Sequence, residues 1–204
     1  MDTAVAPVRL TRAQSRQRTR EALVSAAMGV FARSGYAGAS VDAIAAQAGY
    51  TVGAVYANFG TKEELFLAAF ERHCAEELAT LRELTAASGN VAQLLAAVTG
   101  RFAELDQAHR EWWQLWAELW LFAQRNPHAA QRLITVQDET RQVIAEALRR
   151  GSDPVSDETV AVVHALWEGF MLYRLVNPDA VSADAFGRAV QRLLAGQPTN
   201  PRRR

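Results

Sequence analysis

Apolar residues recur along this chain at the three- and four-residue spacing of amphipathic helices, and no segment shows the two-residue alternation of a strand. The first stripe predicts a helix that ends near Ser34, because Gly35 follows it. Its members are Leu23, Ala26, Ala27, Val30 and Phe31. Later segments predict helices over residues 61–85, 91–105, 109–126, 127–150, 156–176 and 182–194. The pattern therefore predicts an all-α fold.

Two short helices joined by a tight turn are predicted between Ser40 and Lys62. Ser40 can cap a helix over residues 41–48, because its hydroxyl accepts a hydrogen bond from a free amide of the first turn. Thr51 can cap the next helix, over residues 52–59, in the same way.

Three residues define how these two helices cross. Ala45 is small enough for a close approach, Gly49 can adopt the left-handed turn conformation, and Val55 points back between the helices. This spacing is typical of a helix-turn-helix, whose second helix enters the DNA major groove. A helical hairpin without a DNA partner is the alternative interpretation.

The net charge of zero is unevenly distributed. Residues 1–62 carry seven Lys and Arg against three acidic residues, a net +4, whereas residues 63–200 carry twelve against nineteen, a net −7. Arg16, Arg18 and Arg20 lie at the start of the first helix, within reach of a DNA backbone or as a solvated cluster. A basic N-terminal unit on an acidic remainder suits contact with phosphate.

The segment AGYTVGAVYANFGTKEELF, which begins at Ala48, resembles the signature of the TetR family of bacterial transcriptional regulators. The resemblance covers about residues 17–77. Its upstream positions are Arg20, Leu23, Ala27, Phe31, Gly35 and Ser40. It implies a three-helix head with a helix-turn-helix, joined by a long helix to a C-terminal helical bundle that dimerises.

The same resemblance implies a domain organisation. The expected parts are a flexible basic arm (1–16), a DNA-binding domain (17–77, with the helix-turn-helix at about 40–59), a ligand-binding and dimerisation domain (78–196) and a tail (197–204).

Ten residues form the predicted DNA-binding set: Arg20, Ser40, Thr51, Val52, Gly53, Ala54, Tyr56, Ala57, Asn58 and Lys62. Tyr56, Asn58 and Lys62 match family positions that grip the DNA backbone, although Asn58 departs from the usual histidine or tyrosine. The matches at Thr51 and at the small apolar residues imply contact with bases, where methyl groups suit thymine.

Four of the five tryptophans lie within nine residues, on one wide helical stripe. A packed core is one explanation. A ligand cavity with aromatic walls is another, and it also provides partners for the indole N–H groups. The resemblance favours the cavity, because relatives bind small molecules in this bundle. The predicted ligand-binding residues are Trp112, Trp113, Trp116, Trp120, Trp167, Phe170 and Tyr173.

The segment from Val160 to Val176 is apolar on nearly all faces, which predicts burial on two sides. One side would pack in its own bundle and the other against a second chain, as the resemblance implies; a central helix of a monomer is the alternative. The predicted interface residues are Val163, Leu166, Phe170, Phe186, Val190 and Leu193.

The chain shows little that could catalyse a reaction. His164 and Glu168 are four residues apart on one helix, but a metal site needs a third ligand. Glu118 is the best candidate for a carboxylate that faces a ligand, and a solvated helix face is the alternative. There is no phosphate loop, nucleophile motif or metal-ligand run. We therefore expect no enzymatic activity, no metal and no cofactor.

The single cysteine, Cys74, excludes an internal disulfide and is typical of a reducing cytoplasm. No apolar run has the length of a membrane span, and the N-terminus lacks the apolar core of a signal peptide. We predict a cytoplasmic regulator that acts on the bacterial chromosome, with repression favoured over activation. It is expected to bind a palindromic operator as a homodimer, and a small apolar or aromatic effector is expected to release it from the DNA. The alternative is a helical small-molecule-binding or scaffold protein without DNA binding.

Overall fold

A computed structural model describes residues 11–103, 107–149 and 155–196, and every regular element in those ranges is a helix. The helices are α1 (Arg12–Gly38), α2 (Val41–Ala48), α3 (Val52–Phe59), α4 (Lys62–Ala87), α5 (Val91–Arg101), α6 (Gln107–Ala123), α7 (Pro127–Leu148), α8 (Asp157–Val176) and α9 (Asp184–Ala195). The chain divides into two compact units between Phe70 and Glu71. The predicted all-α fold is confirmed.

Helix α1 begins with a capping box. The Thr11 hydroxyl accepts a hydrogen bond from the Gln14 amide at 3.2 Å, and Oε1 of Gln14 accepts one from the Thr11 amide at 2.9 Å. Residues 12–16 of the predicted arm are therefore helical, and residues 1–10 lie outside the described part. The helical conformation is interrupted at Gly35, where φ is 67° and ψ is 172°.

The core of the first unit is built from α1 to α3 and the first turns of α4. Phe31 and Phe66 meet nearly edge to face, with 5.0 Å between ring centroids. Leu23, Ile44 and Val55 are fully buried, so each of the first three helices contributes to one core. This shared core fixes the position of α3.

The second unit contains a core cluster to which α5, α7, α8 and α9 contribute. Its buried members are Leu95, Ala145, Leu148, Val160, Val163, Phe186 and Val190. Three of them, Val163, Phe186 and Val190, were predicted at a subunit interface. They are buried within the protomer instead, because α9 packs against α5 and α8. Phe170 and Leu193 pack partly against the same cluster, and Leu166 is exposed.

Helix α8 has the length and composition of a membrane span, with a mean hydropathy of 1.2. Its polar residues His164 and Arg174 are buried inside the second unit, with exposures of 6% and 5%. Core helices pass the same length and composition test, so we describe α8 as a core helix with one outer face.

Several helix ends differ from the sequence prediction for local reasons. Helix α5 ends at Arg101, whereas the sequence predicted an end at residue 105. The next two residues have carbonyls that accept hydrogen bonds from Arg174, at 2.6 Å for Phe102 and 2.9 Å for Ala103. A cation suits the negative end of a helix. Helix α6 ends at Ala123, before Asn126, whose side chain caps α7. The predicted loop 151–154 and tail 197–204 lie outside the described residues.

Candidate functional site

The turn between α2 and α3 has the geometry of a helix-turn-helix. Gly49 ends α2 in the left-handed conformation, with φ 73° and ψ 29°. The Tyr50 amide donates to the carbonyl of Ala45 at 2.9 Å, and this closes the turn. Ala45 and Val55 are 2% and 0% exposed, so the small residue and the branched residue pack in the crossing as predicted.

The hydroxyls of Ser40 and Thr51 cap α2 and α3. Ser40 accepts a hydrogen bond from the Ala43 amide, and Thr51 accepts one from the Ala54 amide, both at 3.1 Å. Both residues are exposed, so a DNA partner can still reach the cap positions. The two short helices are therefore held by the caps that the sequence predicts.

The outer face of α3 carries the predicted contact residues. Gly53, Tyr56 and Ala57 are exposed, and 49% of Tyr56 is accessible to solvent. Val52 and Ala54 are half-buried, so they offer less surface to a partner. Apart from the phenol, the exposed side chains of this face are small, so its backbone can approach a duplex closely.

A hydrogen bond joins the exposed Arg20 side chain to the backbone of Asn58. The side-chain amide nitrogen of Asn58 donates to the carbonyl of Ala54 at 2.8 Å, and the backbone carbonyl of Asn58 accepts a hydrogen bond from the Arg20 guanidinium at 3.0 Å. The Arg20 guanidinium also lies over the Phe59 ring, 4.2 Å from its centroid. Both side chains therefore contact the last turn of α3, and Arg20 stays accessible to a DNA partner.

Lys62 begins α4 and lies beside Tyr36. Its Nζ atom is 4.7 Å from the centroid of the Tyr36 ring. Burial, and then the charge of Glu63, raise the pKa of Tyr36 above its ordinary value, so the ring stays neutral beside the lysine. The cation is half-buried and held in a fixed direction near the end of α3.

A cavity of about 400 Å³ lies within the second unit. Helices α4 to α9 all contribute side chains to its wall. Its aromatic members are Phe102, Trp112, Trp113, Trp116, Trp167 and Phe186. The volume falls in the range of about 300–1,000 Å³ that small-molecule sites occupy.

The aromatic walls form a connected set of edge contacts. Trp113 meets Trp116 and Trp167 with centroid separations of 5.9 and 6.4 Å, and Trp167 meets Phe102 at 4.9 Å. The Nε1 atom of Trp113 is buried and has no hydrogen-bond partner among the described residues. The wall is therefore mostly apolar, with an unused donor in it.

Charged and titratable groups occupy two parts of the cavity wall. In the first part, Arg101 pairs with Glu77 at 2.8 Å, and the ring centroids of His73 and Trp112 are 3.8 Å apart. Burial lowers the pKa of His73, which favours its neutral form. At the other, Nε2 of His164 is 3.2 Å from Oε1 of Glu168.

Some predicted ligand-binding residues lie outside this wall. Trp112, Trp113, Trp116 and Trp167 line the cavity, whereas Trp120, Phe170 and Tyr173 do not. Trp120 and Tyr173 are 36% and 54% exposed, and Phe170 packs against the core cluster. Glu118, the candidate ligand carboxylate, is exposed, as the alternative of a solvated helix face predicts. Among the described residues, the carboxylates that line the cavity are Glu77 and Glu168.

Comparison with protein families matches both units. Residues 23–69 match the family described as bacterial regulatory proteins, tetR family, and residues 90–198 match the BetI-type transcriptional repressor, C-terminal. The second match alone covers more than half of the chain. This chain belongs to the TetR family. It is a DNA-binding transcriptional regulator, and the resemblance found in the sequence is confirmed.

Solved structures share this TetR fold along nearly their whole length. A transcriptional regulator from Rhodococcus sp. Rha1 is 26% identical, with a TM-score of 0.68 over 86% of this chain and 94% of that one. FadR from Bacillus subtilis, solved with stearoyl-CoA, is 21% identical, with a TM-score of 0.67 over 86% and 97%. A regulator from Saccharomonospora viridis, solved with choline, is 18% identical, with a TM-score of 0.71 over 90% and 99%.

Sequence reasoning missed the cavity residues that this TetR-family chain places on α4 and α5. His73, Cys74 and Glu77 follow one another along α4, and Arg101 ends α5. The three-residue step from Cys74 to Glu77 marks a shared helical face. Burial raises the pKa of the Cys74 thiol. Within the described ranges, no three His, Cys, Asp or Glu side chains cluster as metal ligands would.

Proposed function

We propose that this protein is a homodimeric repressor that binds a palindromic operator and releases it when a small molecule fills the cavity of the second unit. The proposal is supported chiefly by the two sets of residues that α4 provides. The first turns of α4 supply Leu65, Phe66 and Phe70 to the core that holds α3, the recognition helix, and its later turns supply His73 and Glu77 to the cavity wall. One continuous helix thus serves both sites.

The recognition helix would read the operator through a small contact set. Tyr56 and Lys62 are the groups best supported as phosphate contacts, because one is exposed and the other is fixed beside α3. Thr51, Gly53 and Ala57 are exposed, and this supports their predicted contact with bases. Since few of these side chains carry base-specific donors or acceptors, DNA shape would supply much of the specificity.

The outer face of α8 supports a dimer. Val162, Leu166, Gly169, Tyr173 and Val176 are exposed and follow one another at steps of four and three residues, so they form one stripe along the helix. Exposed apolar patches of this kind mark interaction sites. We assign this α8 stripe to a second copy of the chain, because a palindromic operator requires two recognition helices related by a twofold axis.

The effector would act by differential binding. A small molecule with an apolar or aromatic body suits the aromatic walls of the cavity. It can shift the protein away from the DNA-binding state only by as much as its affinity differs between the two states. We expect this repressor to act in the bacterial cytoplasm, on the chromosome.

Operator binding is tested with the full-length protein and DNA from upstream of its own coding sequence, by fluorescence anisotropy at several salt concentrations. Lys62→Gln removes a phosphate contact and should lower both the affinity and the slope of log K against log salt, the slope by about 1. Tyr56→Phe removes the phenolic hydroxyl and should weaken binding without changing that slope.

The matched control is Arg72→Gln. Arg72 is an exposed cation of α4 that pairs with Glu76 in the second unit, so the substitution removes the same charge away from the head. Arg72→Gln should leave both the operator affinity and the slope of log K against log salt unchanged. If Lys62→Gln and Tyr56→Phe bind as tightly as the wild type, the assignment of the DNA-binding surface is wrong.

A further inference from the structure

The cavity wall carries an excess of negative charge. Glu77 and Glu168 line it, and among the described lining residues Arg101 is the cation that opposes them. Arg101 already pairs with Glu77 at 2.8 Å, and both side chains are about one third exposed. Glu168 therefore contributes a carboxylate without a matching Lys or Arg in the wall.

Glu168 is also the more buried of the two carboxylates. Its side chain is 13% exposed, against 34% for Glu77. Its Oε1 atom lies 3.2 Å from Nε2 of His164, yet it accepts no hydrogen bond of acceptable geometry from the described residues. A buried acceptor without a bonded donor is costly, so a ligand that supplies a positive charge there would be bound favourably.

Tryptophan rings line the same cavity as Glu168. Trp167 precedes Glu168 on α8 and contacts Trp113, which in turn contacts Trp116. The face of a tryptophan ring attracts a cation, and desolvation strengthens this attraction. Aromatic walls with one carboxylate that no Lys or Arg of the described wall matches form a site that favours an organic cation over a neutral or anionic molecule of the same shape.

We propose that the effector of this protein is a small organic cation with an apolar or aromatic body, whose charged group pairs with Glu168 among the tryptophans of the cavity. The proposal rests on the proposed function, since it names the chemical class that the effector site accepts. Arg101 does not convert the cavity into an anion site, because Glu77 neutralises it. Burial lowers the pKa of His73, which supports the same preference because a neutral imidazole adds no positive charge.

The test compares three probes that share a phenyl body and differ in charge. They are benzyltrimethylammonium, its uncharged carbon analogue neopentylbenzene, and 4-phenylbutanoate. Binding to the full-length protein without DNA is measured by tryptophan fluorescence and by calorimetry. We expect the cation to bind about tenfold or more tightly than either of the other probes, as a desolvated cation–π and ion-pair site predicts.

Glu168→Gln keeps the size of the side chain and removes its charge. It should lower affinity for benzyltrimethylammonium by about tenfold and leave affinity for neopentylbenzene unchanged. The matched control is Glu146→Gln, an exposed carboxylate of α7 that does not line the cavity, and it should bind all probes as the wild type does. Circular dichroism checks that each variant is folded.

Three results would overturn the proposal. One is equal or tighter binding of the neutral or anionic probe, another is unchanged cation affinity in folded Glu168→Gln, and the third is no binding of the cation up to its solubility limit. The order of the three probe affinities for the wild-type protein tests the preference for a cation even if Glu168→Gln does not fold. Failure of the proposed function is seen separately, as loss of operator binding in the absence of any probe.

Discussion

Arg20 and Asn58 are joined by a hydrogen bond of 3.0 Å from the Arg20 guanidinium to the Asn58 carbonyl, which ties α1 to the last turn of α3. The bond uses an arginine that the sequence assigned to DNA contact. The guanidinium also covers Phe59, so Arg20 holds α3 while its side chain stays exposed to solvent. The predicted phosphate contact of Arg20 stays a prediction beside this role in positioning α3.

Replacing Arg20 with Gln tests these two roles. Loss of the hydrogen bond should reduce the free energy of unfolding by about 1 kcal/mol and weaken operator binding several-fold, because the end of α3 is less well held. The slope of log K against log salt should stay unchanged, since no phosphate contact is lost. Denaturant unfolding and anisotropy titrations measure the two effects. A slope reduced by about 1 would instead identify Arg20 as a phosphate contact.

Replacing Leu166 with Glu tests the α8 stripe. Leu166 lies near the middle of the stripe, and a carboxylate buried there without a partner costs about 2–4 kcal/mol, enough to raise the dimer dissociation constant by about 30-fold or more. Sedimentation velocity over a range of protein concentrations should show the variant as a monomer where the wild type is a dimer. Ile134→Glu, an exposed apolar residue of α7, is the control. Dissociation by the control alone would place the interface elsewhere.

His73 predicts a dependence of stability on pH. Burial lowers its pKa in the folded state below the ordinary 6.5, so the unfolded chain binds the proton at higher pH. The free energy of unfolding should therefore fall as the pH falls from 6.5 through the folded-state pKa. His73→Phe keeps a ring against Trp112 and should flatten this part of the curve. The exposed His128→Gln should retain the wild-type shape, and a variant at His73 with unchanged pH dependence would contradict the assignment.

The head was predictable because local chemistry determines it. Ser40, Thr51 and Gly49 act within a few residues of themselves, as caps and a turn, and their roles follow from residue type and spacing alone. The position of Arg20 was not predictable in this way. Its partner lies 38 residues away, so only the packed structure brings the two together.

The bundle was less predictable because α8 is apolar on nearly every side. Hydrophobicity alone could not separate the inner face, with Val163 and Trp167, from the outer face, with Leu166. The tryptophan stripe shows a second limit. Trp120 lies seven residues beyond Trp113, about 10 Å along the helix axis, so it extends past the cavity although it shares the same face. Periodicity gives the direction of a side chain but not where a cavity ends.

Helix α4 contains neither proline nor glycine over its 26 residues. At 1.5 Å per residue the helix spans about 39 Å, and none of its residues is one that breaks helices. The same uninterrupted helix therefore begins at Lys62, a candidate phosphate contact, and continues through residues that line the cavity.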